Sequence, residues 1–222
     1  MAPQVPSAKR LTGAALAGAL LVLAVLHLWP ARAMADDTVR VVTFGTSLTA
    51  SGGWQRGLQR KLRACWSNDV RVINRAVGGR NSTWGLAKVA SVTAAAPQIV
   101  IVEFAMNDAV KTPPIGIDIA RSRRQTMALV EAIRSARPSA RIFLLITHQV
   151  RGDAVRERPR LNDYYRMYRE LAAEGIAGLI DTSEAWAKVP DGDIPDGVHP
   201  TQAAQLAVTV PAIVRAIAPH CR

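Results

Sequence analysis

Short apolar runs and longer amphipathic stretches alternate along the chain from residue 39 onward. The apolar runs are rich in valine, isoleucine and leucine and contain few polar residues. That composition is typical of parallel strands buried on both faces. The predicted strands are 39–44, 70–74, 98–104, 141–147 and 176–181.

Stretches in which apolar residues recur with helical spacing lie between and after these runs. Gly175 is a suitable C-terminal stop for the fourth of them. Pro211 falls inside the last one, where a proline predicts a kink or a break because it lacks the donor N–H and crowds the preceding turn. The predicted helices are 54–66, 82–95, 117–136, 161–173 and 201–217.

The repeated strand–helix order predicts the fold class. Five such repeats indicate an α/β protein, a three-layer α/β/α sandwich around a five-stranded, mostly parallel sheet. No internal repeat or linker divides the pattern, so residues 36–222 are expected to form one domain. The longest polar connection, 150–160, is rich in arginine; a loop over an active site and a solvated surface loop are both compatible with it, and general experience favours the second.

The first 35 residues have the pattern of a signal peptide. Lys9 and Arg10 precede an unbroken run of small and apolar residues at 14–26, and Ala33-Met34-Ala35 then offers a small-x-small cleavage site. The alternative is an uncleaved anchor over 11–29, which approaches the length that a membrane span needs. Cleavage is favoured, so we expect an exported protein, periplasmic or secreted, that meets the membrane only through this segment before cleavage.

Composition and charge narrow the function classes. The 222 residues are 49% hydrophobic and carry a formal net charge of +11, which suits a folded domain and not a disordered chain. A basic surface can attract anionic glycans or phospholipid head groups. The arginines are scattered and no aromatic residues interleave them, so no nucleic-acid partner is expected. Cys65 and Cys221 form a candidate disulfide in an oxidising compartment, although sequence cannot supply the distance between them.

Residues that can do chemistry follow successive strands, at the sheet edge where α/β proteins bind ligands. Ser47 follows the first strand at a strand-to-helix turn, where its hydroxyl and its own amide can face a substrate. Gly79 follows the second strand and can expose a backbone donor, and Asn107 follows the third with a neutral side-chain donor. Each signal also has an ordinary structural explanation, as a turn residue or a helix cap.

The segment before the last helix contains an acid–base pair. Asp196 and His199 are three residues apart on a tight turn, and Pro200 fixes the chain after the histidine. A carboxylate bound to the imidazole Nδ1 leaves Nε2 free to face a nucleophile. His148 follows the fourth strand and competes for the role of base, but no acid lies three residues before it, so His199 is preferred.

The order serine, glycine, asparagine and Asp-x-x-His at successive strand ends closely resembles the SGNH, or GDSL, hydrolase family. The matching positions are Gly45-Thr46-Ser47-Leu48 in the first block, Gly79 in the second, Ala105-Met106-Asn107-Asp108 in the third and Asp196 to His199 in the fifth. The resemblance spans the domain and implies a flavodoxin-like sandwich. It also implies a nucleophile at Ser47, a base at His199 with Asp196, and an oxyanion hole from Ser47, Gly79 and Asn107.

Three positions depart from the family pattern. Thr46 replaces an aspartate, Ala105 replaces a glycine, and Ala76 stands where many members have a first glycine. None of the three is assigned chemistry, but Thr46 is expected to alter how the nucleophile turn is braced. Some segments look like the rhamnogalacturonan acetylesterase branch and others like periplasmic thioesterase/lysophospholipase members, so the substrate stays open.

The expected activity is ester hydrolysis, with short-chain or acetyl esters preferred. A lipid esterase, a glycan O-acyltransferase with the same triad and a non-catalytic glycan-binding module are the alternatives. The ordinary α/β-hydrolase fold is rejected, because Thr49 stands where its second motif glycine belongs and the acid lies beside the base. No cofactor or metal is expected, because no cluster has ligand spacing. The partner is expected to be a small-molecule, glycan or lipid ester, and the protein a monomer.

Overall fold

The computed structural model describes residues 1–2, 4 and 37–221. The expected signal peptide, 1–35, therefore falls almost wholly outside the described residues. A compact unit begins at Asp37 and extends to the C-terminus. Within the described part of the chain, no helix combines the length and the apolar character that crossing a membrane would require.

Strands and helices alternate through this unit, and the α/β class with a five-stranded parallel sheet is confirmed. The strands are β1 (Val39–Gly45), β2 (Val70–Asn74), β3 (Ile99–Glu103), β4 (Arg141–Ile146) and β5 (Gly178–Asp181). The helices are α1 (Ser47–Ala50), α2 (Trp54–Arg63), α3 (Ser82–Thr93), α4 (Ala105–Asp108), α5 (Ile119–Ala136), α6 (Ala154–Glu157), α7 (Leu161–Ala173), α8 (Ser183–Ala187) and α9 (Gln202–Ile217). A 3-10 turn occupies Asp191–Asp193.

The sheet order is β2-β1-β3-β4-β5, and every neighbouring pair is parallel. The chain order reverses at β1, which lies between β2 and β3. Because all the strands point the same way, their carboxyl ends share one edge of the sheet. The loops that leave β1, β2 and β3 therefore begin next to one another, and these are the loops that contain Ser47, Gly79 and Asn107.

Helices cover both faces of the sheet, as a three-layer sandwich requires. Alternate residues of β1 divide between two hydrophobic cores: Val42 and Phe44 pack with α3, α5 and α7, whereas Val41 packs with α2 and α9. The two cores follow from the period of two in strand side chains. Burial on both faces explains why the strands read as apolar runs and not as alternating patterns.

Apart from shifts of a few residues at element ends, the structure differs from the predicted elements in four short helices and in the continuity of the last helix. Of the two outcomes predicted for Pro211, a kink or a break, the break does not occur, because α9 is continuous from Gln202 to Ile217 with the proline inside it. Residues on both sides of the proline, Val210 and Ile213, are buried in the core, and this packing holds the helix together across the lost hydrogen bond. Helices α1, α4, α6 and α8 have four or five residues each, too few for apolar periodicity to reveal.

The two cysteines lie at the ends of neighbouring helices. Cys65 follows α2 and Cys221 follows α9, and both helices pack in the same core. The structure joins the two residues in a disulfide with Cα atoms 5.6 Å apart. The bond links positions 156 residues apart and connects Cys221, near the C-terminus, to the end of helix α2.

Candidate active site

Ser47 is the first residue of α1, directly after the central strand β1. Thr46 caps this helix, because its side-chain hydroxyl accepts a hydrogen bond from the Leu48 amide. The same hydroxyl donates to Glu103 Oε2 over 2.7 Å. Thr49 also donates to Glu103 Oε2, over 3.1 Å. The sequence departure at Thr46 therefore has a structural consequence: the nucleophile turn is fastened to a carboxyl group on the neighbouring strand β3.

Glu103 is fully buried beneath this turn. Burial raises the pKa of Glu103 to about 7, although the hydrogen bonds from Thr46 and Thr49 oppose the rise. Its Oε1 atom has no hydrogen-bond partner among the described residues. Glu103 was not identified from the sequence, although it is the single charged residue in the apolar run 98–104 and could have been noticed for that reason.

Ser47, His199 and Asp196 form one hydrogen-bonded chain. Ser47 Oγ lies 2.8 Å from His199 Nε2, and His199 Nδ1 lies 2.6 Å from Asp196 Oδ2. A carboxylate accepts hydrogen bonds, so Nδ1 of the neutral imidazole carries the proton and Nε2 accepts from the serine hydroxyl. About half of the side-chain surface of His199 and of Asp196 is exposed, 49% and 55%, so the pair is open to solvent and substrate.

The Asp196 carboxylate is held in its ionised form. Partial burial raises its pKa, but hydrogen bonds from the His199 amide, the His199 ring and the Val198 amide outweigh that effect. The net result lowers the pKa of Asp196 to about 2. Both oxygens are used: Oδ1 accepts from the two amides, 2.9 Å and 2.6 Å away, while Oδ2 faces the imidazole. The turn thus presets the tautomer of His199.

Backbone donors lie free near Ser47. Among the described residues, neither the Ser47 amide nor the Gly79 amide has a hydrogen-bond acceptor. Gly79 has a φ of +70°, a left-handed conformation that favours glycine. The adjacent Gly78 approaches the serine closely, since a Cβ placed on it would lie 3.6 Å from Ser47 Cβ. The β2 loop thus brings its glycine pair against the nucleophile turn.

Asn107 contributes a side-chain amide from α4. Its Nδ2 atom donates to the Arg80 carbonyl over 2.9 Å, which ties α4 to the loop that contains Gly79. A primary amide has two hydrogens, so one remains available after this bond. The next residue, Asp108, is buried and accepts from the Ser82 amide and the Ser122 hydroxyl. Burial raises the pKa of Asp108, and its carboxyl group connects α4 to the first residue of α3 and to α5.

His148 lies behind the catalytic turn and not beside Ser47. Its Nε2 atom is 2.8 Å from the Val198 carbonyl, so that nitrogen donates, and its ring packs against Trp186. Burial, with smaller effects from Arg151 and His199, lowers the pKa of His148 to about 4. The preference for His199 over His148 as base therefore agrees with the geometry, and His148 supports the residue that precedes His199.

The 150–160 connection packs against the same turn. The Arg151 amide donates to the Gly197 carbonyl over 2.9 Å, and a side chain on Gly197 would collide with the Arg151 carbonyl, 2.2 Å from its Cβ. The Arg151 guanidinium also bonds Asp191 and the Trp186 carbonyl. Of the two interpretations left open by the sequence, this connection is closer to an active-site loop, because it is anchored to the Asp196–His199 turn.

One cluster in the described chain has the side chains and spacing of a metal site. It consists of Cys65, His220 and Cys221, and the disulfide engages both sulfur atoms. It lies beyond the carboxyl-terminal ends of helices α2 and α9, and it shares no residue with the hydrogen-bonded chain of Ser47, His199 and Asp196.

A serine, histidine and aspartate at the carboxyl edge of a parallel sheet, with free backbone donors, define a class of serine hydrolases. The model of the GDSL-like lipase/acylhydrolase family matches residues 42–207. The chain belongs to this family and is an SGNH-type serine ester hydrolase. No curated protein matches the sequence significantly.

Solved structures with the same fold are distant in sequence. A lipase/acylhydrolase from Enterococcus faecalis is 24% identical with a TM-score of 0.71, over 83% of this chain and 97% of that one. TesA is also 24% identical, with a TM-score of 0.66 over 81% and 98%. Axe2, an acetylxylan esterase from Geobacillus stearothermophilus, is 18% identical with a TM-score of 0.69 over 82% and 96%.

Proposed function

We propose that the protein is an exported serine esterase that hydrolyses short-chain carboxylic esters through Ser47, His199 and Asp196. The observation that carries the proposal is the hydrogen-bonded chain from the serine hydroxyl through the imidazole to the carboxylate, 2.8 Å and 2.6 Å long. Family membership supports the reaction class. The amino-terminal pattern of 1–35 supports export.

The mechanism has two acyl-transfer steps. Ser47 Oγ attacks the ester carbonyl while His199 Nε2 takes its proton, and Asp196 stabilises the imidazolium that forms. The oxyanion is stabilised by the Ser47 and Gly79 amides and the free hydrogen of Asn107 Nδ2. His199 then protonates the departing alcohol as the tetrahedral intermediate collapses to the acyl-enzyme. Water repeats the sequence, releases the acid and restores the Ser47 hydroxyl.

The preference for short acyl groups has weaker support and a separate test. Axe2, which shares the fold, is named an acetylxylan esterase. A cavity of about 930 Å³ on the described residues is lined by none of the three triad residues. We therefore expect kcat/KM for a series of aryl esters from acetate to palmitate to fall beyond butyrate. A maximum at long chains would favour the lipid-esterase alternative.

The catalytic assignment is tested by kinetics on aryl acetate. Ser47→Ala should lower kcat by at least about a thousandfold, because removing a triad member abolishes the covalent route. Ser51→Ala is a matched control, since Ser51 is an exposed serine that follows the same short helix. Wild-type rates in Ser47→Ala would refute the assignment. Transfer to an added sugar acceptor that exceeds hydrolysis would instead favour the O-acyltransferase alternative.

A further inference from the structure

One arginine of the 150–160 connection differs from its neighbours. The segment contains four arginines, and three of them have a carboxylate partner: Arg151 pairs with Asp191, Arg156 with Asp153, and Arg160 with Asp163. Arg158 has no carboxylate partner among the described residues. The adjacent acid, Glu157, is used by Lys111, whose Nζ lies 3.2 Å from it.

Arg158 is also held in place and partly removed from solvent. Its Nε atom donates to the Met106 carbonyl over 3.0 Å, so the guanidinium is fixed beside the residue that precedes Asn107. Burial lowers the pKa of Arg158, and Asp196 is among the groups whose charge acts on it. The guanidinium has therefore lost part of its hydration, and no carboxylate of the described residues lies within ion-pair distance of it. The two terminal nitrogens have no hydrogen-bond acceptor in the described part of the chain.

A second arginine without an acid partner lies on the same side of the site. Arg80, whose carbonyl binds Asn107, has an exposed side chain with no acid partner in the described chain. The cavity of about 930 Å³ begins directly beyond, with Pro159 next to Arg158 and Asn81 next to Arg80 among its lining residues. The cavity is lined by four charged residues: Lys111 and Arg160, which pair with Glu157 and Asp163, and Arg121 and Asp118.

We infer that Arg158 binds an anionic group, a carboxylate or a phosphate, that the substrate carries close to its reacting ester. The guanidinium presents two free terminal nitrogens in the planar arrangement that suits bidentate binding of such a group. The hydrogen bond from Arg158 to the Met106 carbonyl places the guanidinium on the Asn107 side of the site. The neighbouring cavity of about 930 Å³ has room for the remainder of an acidic glycan unit or a lipid head group. The inference rests on the proposed function and specifies the substrate class.

The test compares matched neutral and charged esters. Phenyl acetate is the neutral probe, carboxyphenyl acetate places a carboxylate on the alcohol side, and phenyl hemisuccinate places one on the acyl side. The quantity compared is the ratio of kcat/KM for a charged ester to that for the neutral ester, in wild type and in each variant. Because each ratio is compared between enzymes, the different intrinsic reactivities of the esters cancel.

In Arg158→Gln this ratio should fall about tenfold for at least one charged ester, the loss typical of a hydrogen bond to a charged group. Arg158→Lys should give an intermediate ratio, because it keeps the charge and loses the planar fork. Arg156→Gln is the matched control from the same segment, and its ratio should stay within about twofold of wild type, since exposed ion pairs contribute little. Equal losses on neutral and charged esters in Arg158→Gln would overturn the inference.

Two further measurements keep the outcome clear. If Arg158→Gln does not fold, benzoate is tested as an inhibitor of phenyl acetate hydrolysis by the wild-type enzyme; competitive inhibition supports the inference, and none contradicts it. An O-acetylated oligogalacturonate and a lysophospholipid then distinguish carboxylate from phosphate, with an acetylated xylo-oligosaccharide as the neutral reference. A wild-type enzyme inactive on every ester would refute the proposed function itself, which is a different result from activity without charge preference.

Discussion

The buried carboxyl group of Glu103 should make folding stability depend on pH in a specific window. Its pKa is raised from 4.5, the ordinary value, to about 7 by burial. In that window the folded protein keeps a proton that the unfolded chain releases, so stability falls as pH rises from 4.5 to about 7. Each pKa unit corresponds to about 1.4 kcal/mol. At pH values above this window, where Glu103 is ionised in both states, its burial therefore destabilises the folded protein by about 3 kcal/mol.

Glu103→Gln isolates this effect. A glutamine keeps an oxygen to accept from Thr46 and Thr49, so the nucleophile turn keeps its fastening. Its amide nitrogen would occupy the place of Oε1, which has no partner among the described residues, and we expect a cost of about 1–3 kcal/mol that does not vary with pH. The effect of the charge on Glu103 is therefore identified by how the free energy of unfolding changes with pH, and not by its value at one pH.

The assay is urea unfolding of both proteins at intervals from pH 4.5 to about 7. The free energy of unfolding of wild type minus that of Glu103→Gln should fall by about 3 kcal/mol across the window. Taking the difference removes the contribution of His148, whose lowered pKa acts in the opposite direction and destabilises the fold as pH drops toward about 4. A difference that is flat with pH would refute the reasoning.

Variants at three other sites test separate contacts. His148→Phe removes the donor to the Val198 carbonyl and should lower kcat about tenfold, whereas His148→Gln should restore most of the rate; equal kcat values would contradict a positioning role. Asn107→Ala should lower kcat by about 10²–10³ on aryl acetate, and an unchanged kcat would exclude its side chain from oxyanion binding. Replacing Cys65 and Cys221 by serine should lower the free energy of unfolding by about 4–5 kcal/mol, because the disulfide closes a loop of about 150 residues; denaturant curves that coincide would argue against the bond.

The architecture was predictable because the central strands of a doubly covered parallel sheet are buried on both faces. The segments β3 and β4 are apolar except for one terminal residue each, and all five strands could be placed along the chain from their β-branched and apolar residues. Periodicity said nothing about α1 and α4, the four-residue helices that present Ser47 and Asn107. The helix does not break at Pro211, and intrinsic helix preference could not show this because it ignores the core contacts of Val210 and Ile213.

The sequence predicted the site only as a set of residues that follow the ends of neighbouring strands. Ser47, Gly79, Asn107 and the Asp196–His199 pair could be selected because parallel strands bring their carboxyl ends to one edge. The roles of the supporting residues could not be predicted in that way, although Glu103 and His148 also lie at or just after strand ends. Glu103, His148 and Arg158 act through contacts with residues 50 or more positions away in sequence, and a single chain without coordinates does not reveal such pairs.

The most direct test of the central claim is the site of covalent labelling by a fluorophosphonate, which reacts with an activated serine. We expect intact-mass analysis to show one adduct per chain, peptide mapping to locate it on Ser47, and labelling to be lost in Ser47→Ala and strongly slowed in His199→Gln. Ser51→Ala should label at the wild-type rate. An adduct on any other serine, or labelling that persists in Ser47→Ala, would contradict the assignment of Ser47 as the nucleophile.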